Sequence, residues 1–340
     1  MSLLTLTDHG LYCESGDFYI DPWEPVDRAV ITHAHGDHAT WGSGAYLTST
    51  AGLGVLRARL EPGARIQAID YGQALTLNGT AVSLHPAGHI LGSAQVRIEH
   101  QGEVWVVSGD YKTDPDPTCT PFEPVRCHTF VTESTFGLPV YRWPGQAEVF
   151  AQINAWWRAN AEAGKTCLLF GYTLGKAQRL LAGLDPSIGP ILTHGAVERM
   201  TSAYREFGVS LPTTKYAGTA ERKADSKGAI VIAPPYSSAS PWLRRFAPYS
   251  TAFASGWMLV RGARRRRSLD RGFAISDHVD WPSLLSTIEA TGAGEVWVTH
   301  GYTGPVVRWL QGRGIEARAV QTRFEGERDD EVAELAEATA

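Results

Sequence analysis

Apolar residues between positions 18 and 107 arrive in short runs, three to five long, separated by polar or glycine-containing breaks. Runs of that length bounded by turn residues indicate strands, because a helix needs a longer periodic stretch. Strands are predicted over 18–20, 29–32, 74–77, 81–84, 95–98 and 104–107. Two of the breaks, Asn78-Gly79 and Gln101-Gly102, carry residue types that tolerate the positive φ of a tight hairpin turn. Antiparallel meanders are therefore expected to dominate the first 130 residues. Beyond Gly145 the rhythm changes. Helical spacing over 147–163 and 176–184 alternates with the continuous apolar runs 166–170 and 230–233, which suit strands buried on both faces. Toward the end, a helix is predicted over 282–290, a strand over 295–299, a helix over 305–312 and a strand over 316–320. Residues 325–340 are acidic and small, and are expected to stay outside the core. No repeat or low-complexity stretch interrupts this order.

With 340 residues, 43% hydrophobic and 20% charged, the chain has the apolar material for one large domain or two modest ones. That composition argues against disorder. No run approaches the roughly 18 apolar residues of a membrane span, and the opening Met1-Ser2-Leu3-Leu4 lacks the basic and long apolar regions of an export signal. A cytoplasmic location without membrane contact is expected. Cys13, Cys119, Cys127 and Cys167 form no CxxC pair and are too sparse for a disulfide framework, so they are read as reduced. The formal charge of −5 hides an asymmetry: residues 199–271 hold 14 basic and 4 acidic side chains, against 17 basic and 32 acidic elsewhere. That section suits an anionic partner. Its densest part is Arg264, Arg265, Arg266 and Arg267, with Arg271 close behind. Guanidinium forks pair well with phosphate, which makes these five candidate nucleic-acid contacts.

The strongest chemical signal is His33-Ala34-His35-Gly36-Asp37-His38, directly after an apolar run. Neutral imidazole and carboxylate are ligands that Zn²⁺ and similar ions prefer, and a strand ending in a tight loop can turn all four toward one point. His33 and His35 would serve one ion, Asp37 and His38 a second. Further stations stand at other strand ends. His89 lies among flanking glycines, Asp110 follows the run 104–107 and has two oxygens to bridge both ions, and His300 ends the run 295–299. Asp21 closes the run 18–20 and would orient a ligand or the histidine loop. Taken singly each is as compatible with a structural role; their shared position at strand ends is what a metal centre requires. Two divalent ions are expected. The histidine share favours Zn²⁺, and the oxygens of Asp37 and Asp110 suit Mn²⁺ as an activating ion.

Taken together, HAHGDH, AGHILGS over 87–93, SGD over 108–110 and VTHG over 298–301 resemble the successive motifs of the metallo-β-lactamase superfamily. The resemblance implies an α/β fold, an αββα sandwich with a dinuclear metal site at one edge. Asp110 and His300 are 190 residues apart, far more than in compact hydrolases of the superfamily. That layout resembles the β-CASP subgroup of nucleic-acid nucleases, which carries an inserted α/β domain. The expected division is a first part over 1–145, an insert over 146–270, a return segment over 271–325 and an acidic tail over 326–340. Residues 131–136 resemble the subgroup's motif A and supply Glu133; 275–280 resemble motif B and supply His278; 298–301 resemble motif C and supply His300. By this resemblance His278, steered by Glu133, is the candidate general acid for the leaving 3′-oxygen, and Asp37 or Asp110 would take the proton of the attacking water. In 5′-exonucleases of the subgroup, hydroxyls after motif A and a strand-turn-helix of the insert hold a terminal 5′-phosphate. Ser134, Thr135, Thr173, Gly175 and Lys176 are the matching phosphate candidates here.

Gly256-Trp257-Met258, Arg261-Gly262-Ala263 with its arginine run, and Asp270-Arg271-Gly272-Phe273 leading into SDHVDW are similar to bacterial ligase-associated DNA exonucleases. The implied activity is 5′-to-3′ digestion of single-stranded or 5′-phosphorylated DNA in repair, with structure-specific endonuclease cutting beside it. A DNA ligase or helicase is the partner that the resemblance implies. His300 is shared with RNA-processing members, so an RNA nuclease of ribonuclease J or cleavage-factor type is the alternative. A small-molecule hydrolase would have no use for the basic section, and a metal-free scaffold would have lost ligands.

Overall fold

The computed structural model describes residues 2–219, 226–260 and 269–323. Two compact units emerge, one built from residues up to Arg142 together with those from Asp277 onward, the other from Trp143 to Ser276.

The first unit holds two sheets. One follows chain order: β1 (Thr5–Thr7), β2 (Gly10–Cys13), β3 (Phe18–Ile20), β4 (Arg28–Val30), β5 (Ala45–Ser49) and β6 (Ile66–Ile69). β1, β2 and β3 are antiparallel, but β3 through β6 run parallel. The expected dominance of meanders therefore fails here. The connections are the reason: the loop after β4 and the helix α1 (Leu53–Arg59) after β5 are long enough to carry the chain back to the same end, which a two-residue turn cannot do. The other sheet contains β7 (Ala74–Leu77), β8 (Thr80–Pro86), β9 (Ala94–His100), β10 (Glu103–Val107), β11 (Thr129–Glu133), β18 (Glu295–Thr299) and β19 (Glu316–Ala319), in the order β19-β18-β11-β10-β9-β8-β7. Its antiparallel half turns at Asn78-Gly79 and Gln101-Gly102, all four residues having positive φ.

Ile20, Val30 and Leu47 of the first sheet pack with Val82, Val96, Ile98 and Trp105 of the second in one buried cluster. The second sheet's other face is covered by α5 (Trp281–Thr291) and α6 (Thr303–Gln311), through Leu284, Ile288, Val306 and Leu310 against Val106, Phe130, Val296 and Val298. α5 starts where it does because Asp280 accepts a hydrogen bond from the Ser283 N–H at 3.0 Å and Pro282 occupies the first turn. It stops at Gly292, which takes φ 66°. Covered on both faces, β10, β11 and β18 are rigid strands whose ends point the next residues in fixed directions.

The second unit is a single parallel sheet, order β14-β13-β15-β12-β16-β17. Its strands are β12 (Thr166–Phe170), β13 (Ile191–Thr193), β14 (Lys215–Tyr216), β15 (Ile230–Ala233), β16 (Tyr249–Ala254) and β17 (Arg271–Phe273). The continuous apolar runs of β12 and β15 sit at its centre, buried on both faces, as parallel sheets require. α2 (Gln146–Glu162), α3 (Lys176–Ala182) and α4 (Gly195–Glu206) cover one face through Ile153, Trp157, Leu180 and Val197. The other face is closed by short 3₁₀ turns carrying Leu243, Phe246 and Met258. Arg271 is exposed at the start of β17, whereas Arg264, Arg265, Arg266 and Arg267 lie outside the described residues. Among the described residues no helix is long and apolar enough to cross a membrane.

Candidate metal centre

Six strand ends of the first unit supply the predicted ligands and the carboxylates expected to orient them. Asp21 follows β3, the loop from His33 to His38 follows β4, and His89 follows β8; Asp110 follows β10, Glu133 ends β11, and His300 follows β18. Asp21 and His300 both adopt left-handed backbone, φ 44° and 52°, a conformation that side chains other than glycine rarely take. Gly301, next to His300, must also be left-handed, and a Cβ there would lie 2.5 Å from the Thr135 backbone. Gly109 plays the same part before Asp110: at φ 57° its missing Cβ leaves room for Thr32.

Thr32 fixes the chemistry of the loop. Its hydroxyl donates to Asp21 Oδ2 at 2.6 Å, and its N–H donates to Asp21 Oδ1 at 2.8 Å. A hydroxyl has one proton to give, so the 3.0 Å bond between Thr32 Oγ1 and His33 Nδ1 must be donated by the imidazole. That choice leaves Nε2 of His33 as a lone pair. His89 is fixed likewise, because its Nδ1 donates to the Asp277 carbonyl at 2.9 Å. His38 Nδ1 lies 2.7 Å from the Asp21 carboxylate, which leaves its Nε2 inward. Holding one imidazole nitrogen from behind is how proteins orient metal-binding histidines.

The inward atoms converge. His35 Nδ1 lies 3.1 Å from His33 Nε2 and 3.2 Å from His89 Nε2. With Asp110 these three form one group whose ligand atoms all lie within 4.8 Å of one another; His38, Asp110 and His300 form a second. Asp110 belongs to both. Its Oδ2 is 3.6 Å from His33 Nε2 and 3.6 Å from His38 Nε2, and its Oδ1 is 3.8 Å from His300 Nδ1. Asp37 approaches His38 Nε2 at 3.5 Å. A cavity of about 40 Å³ opens beside Asp37, His38 and His300.

The electrostatics call for positive charge. Burial, helped by the neighbouring imidazoles, holds His33 and His89 well below the ordinary histidine range, so both are neutral and able to ligate. Burial also pushes His38 down, but the carboxylates of Asp37, Asp21 and Asp110 outweigh it and raise His38 well above that range. Asp110 is held well below the carboxylate range, because His278, His38 and His300 outweigh its desolvation. Five polar atoms are buried with no hydrogen-bond partner among the described residues and lie in this centre: both Asp37 oxygens, His38 Nε2, Asp110 Oδ1 and His300 Nδ1. Leaving such atoms unpaired costs about 1–3 kcal/mol each, and divalent ions would pair all five. Nitrogen and carboxylate donors in this proportion fit Zn²⁺ or Mn²⁺.

His278 and Glu133 stand beside Asp110 and form a further possible ligand group with it, and His278 also falls together with His89 and Asp277. Glu133 Oε1 accepts from the Tyr111 N–H at 2.8 Å and Oε2 lies 2.9 Å from His278 Nδ1, so the ring is held by an anchored carboxylate. Burial pushes His278 down, but Glu133 and Asp110 outweigh it and raise it well above the usual range.

The phosphate candidates fare differently. Ser134 donates its hydroxyl proton to the carbonyls of Thr299 and His300, tying β11 to β18. Thr135 Oγ1 is buried without a partner among the described residues. In the second unit, Lys176 is fully buried and Thr173 nearly so. The amides expected to face an anion are already engaged: Gly175 N–H by Gln178 Oε1 at 2.8 Å, Lys176 N–H by the Leu174 carbonyl and Ala177 N–H by the Tyr172 carbonyl. The amide cradle expected at this turn is therefore closed, and the Thr173 and Lys176 side chains are buried. Sequence reasoning also missed two supports. Arg59 of α1, buried beneath the loop, donates to the Ala34 carbonyl at 3.0 Å, and the Asp277 carbonyl holds His89. Nothing local to Arg59 signals that role.

Known proteins bear on the centre. No protein-family model matches the chain. Over 315 residues, 92% of the chain, it is 34% identical to the probable DNA ligase of Opitutus terrae, of which it spans 30%. A 123-residue stretch, 36% of the chain, is 30% identical to endoribonuclease YSH1 of Yarrowia lipolytica, spanning 15% of it. Another 123-residue match is 31% identical to cleavage and polyadenylation specificity factor subunit 3 of Dictyostelium discoideum, covering 36% of the chain and 16% of that protein. The chain is related to the β-CASP nucleases of the metallo-β-lactamase superfamily. It spans less than a third of the length of each of these curated relatives. A similar fold is met in a crystal structure of a protein of unknown function from Enterococcus faecalis V583. That match has a TM-score of 0.60 at 11% identity, over 88% of this chain and 80% of the other.

Proposed function

We propose that the chain is a divalent-metal-dependent nuclease that hydrolyses DNA phosphodiesters from the 5′ end, with residues 143–276 as its inserted β-CASP domain. The observation that carries the nuclease reading is the set of five buried, unpartnered atoms on Asp37, His38, Asp110 and His300 beside the three-histidine group. His33, His35 and His89 would hold one ion, Asp37, His38 and His300 the other, with Asp110 shared. Bound there, the ions would supply Lewis acidity toward the phosphoryl oxygens and a water of lowered pKa. Asp37 is assigned the proton of the attacking water. His278 is assigned the proton delivered to the leaving 3′-oxygen, and Glu133 keeps its ring oriented. Thr135 remains the first unit's side chain assigned to a terminal phosphate.

The preference for DNA is supported by span. Similarity to a protein named for DNA joining runs through 92% of the chain, whereas similarity to the RNA-cutting YSH1 covers 36%. The same name supports a DNA ligase as functional partner. The deciding experiment is digestion of one oligomer prepared as 5′-phosphorylated, 5′-hydroxyl, single-stranded, duplex and RNA forms, with Zn²⁺ or Mn²⁺ and a chelator control. Chelator-sensitive release of mononucleotides from 5′-phosphorylated DNA is expected. Faster digestion of the RNA form would reassign the substrate, and no cleavage of any form with either metal would remove the nuclease reading.

A further inference from the structure

The sheet β1 to β6 breaks the alternation that a sandwich requires. Arg28 pairs with Ala45 and Leu47 with Gln67, and side chains alternate faces along each strand. Arg28, Arg65 and Gln67 therefore share a face with Val30, Leu47 and Ile69, which belong to the buried cluster between the sheets. Polar residues at core-facing positions mark a place where packing has been given up for something else. All three are exposed, and a cavity of about 290 Å³ opens beside them between the two inner faces. Its apolar wall includes Phe18, Val30 and Leu47 on one side and Leu75 and Leu77 of β7 on the other. Both strands at its mouth are edges, β6 pairing with β5 and β7 with β8. Leu75 and Leu77 stay half-buried, since the facing sheet has no strand beyond β6 among the described residues.

Charge and backbone narrow the occupant. No acidic side chain lines the cavity. Arg28 faces the exposed Asp17 carboxylate at 3.6 Å, a surface pair of the kind that contributes little and exchanges readily. The Arg65 side chain meets no carboxylate among the described residues. Inward charges on an edge strand discourage aggregation, which accounts for Arg65 but not for Arg28, since β4 lies two strands in from the edge. The open side of β6 offers backbone N–H and C=O groups, the cavity offers an apolar wall, and the guanidinium forks suit a carboxylate. An added strand would use all three at once. A cavity of roughly 150 Å³ holds one benzene molecule, so this one has room for about two aliphatic side chains from the inward face of such a strand. We propose that β6 is a docking edge for an extended segment of a partner protein, with aliphatic side chains at alternate positions and a carboxylate beside them for Arg28 and Arg65. Arg28 begins β4 and the metal loop follows its other end, so the docking edge and the metal centre stand at opposite ends of that strand.

The test uses the full chain, with a phage-displayed library of random dodecapeptides as the probe. Peptides that alternate aliphatic and acidic residues are expected to be enriched. The enriched peptide, made synthetically, should bind roughly tenfold more weakly to the double variant Arg28→Glu, Arg65→Glu, because like charges then meet. Replacing the acidic residues of that peptide by lysine is expected to restore binding to the double variant. Both positions are exposed, so melting temperature and metal content should hold. A further measurement needs no variant: with the peptide bound, hydrogen exchange in the unaltered chain should slow at the amides of Ile66–Ile69. No enrichment, equal binding to the double variant, or slowed exchange confined to other residues would overturn the proposal. Residues 324–340 are acidic and supply a rival occupant. Enrichment seen only after their removal would assign the edge to this chain's own segment and overturn the assignment to a partner.

Discussion

Two carboxylates near the centre do different work because of what holds them. Asp21 accepts from Thr32 and contacts His38, so it acts as a brace and has little left to offer an ion. Asp37 has both oxygens buried without a hydrogen-bond partner among the described residues. Asp21→Ala should therefore free the His38 ring and weaken metal binding about 10- to 100-fold, read by competition with a chelating dye; unchanged affinity would mean that the loop holds itself. His278 is held through Glu133; it is absent from the two groups that join Asp110 to His33 and to His38, but its nitrogen also falls with Asp110 and Glu133 and with His89 and Asp277. His278→Ala is expected to keep its metal and lose about 10²- to 10⁴-fold in turnover. A metal-depleted variant would make His278 a ligand instead. Glu133→Gln tests the positioning role. The Glu133 carboxylate raises His278, so removing its charge lowers the value at which His278 gives up its proton. An acid that must be protonated sets the alkaline limb, and that limb should move to lower pH in Glu133→Gln while metal content stays constant.

At the scale of elements, the centre is a set of strand ends brought together by two sheets, and glycine turns aim them. Gly109 is one such joint, next to Asp110 and packed against Thr32. A Cβ there would lie 2.6 Å from Thr32 Cβ and Oγ1, and Thr32 is the residue that fixes Asp21 and His33. Gly109→Ala should therefore cost about 1–3 kcal/mol in urea unfolding with chelator present, and weaken metal binding as well. An unchanged unfolding midpoint would show that the turn relaxes without moving Thr32. These joints also mark the limit of what is legible from residues alone. The runs at β10, β12, β15 and β18 and the two hairpin turns could be read because strand periodicity and positive-φ residues are local signals. The candidate ligands could be singled out because each follows such a run, and the structure brings them together. Parallel pairing of β3 through β6 depends on how long connections return, and Arg59 reaches the loop only through tertiary packing. The closed amides at α3 were signalled, since Gln178 stands three residues after Gly175 as in a capping box.

The two units have separate cores, and each core contains a buried thiol that makes the whole chain sensitive to alkali. In the first unit burial pushes Cys127 up to about 12, with Thr291 opposing; in the second, burial pushes Cys167 up to about 12. An unfolded thiol ionises near 8.5. Below that pH both states keep their protons and stability does not depend on these groups. Between about 8.5 and 12 the unfolded chain releases protons that the folded chain retains, so stability falls as pH rises, by about 1.4 kcal/mol per pH unit for each thiol. Tyrosines and lysines titrate in the same window, so the thiol has to be isolated by difference. Cys167→Ala leaves those groups in place and removes a side chain that is 0% exposed on β12. Its unfolding free energy, measured in urea against the unaltered chain from pH 8 to 11, should start lower because of the lost packing. The gap should then close by about 1.4 kcal/mol per unit above 8.5. A gap that stays constant over that range would mean that Cys167 ionises in the folded sheet as easily as in the unfolded chain, and that β12 admits water.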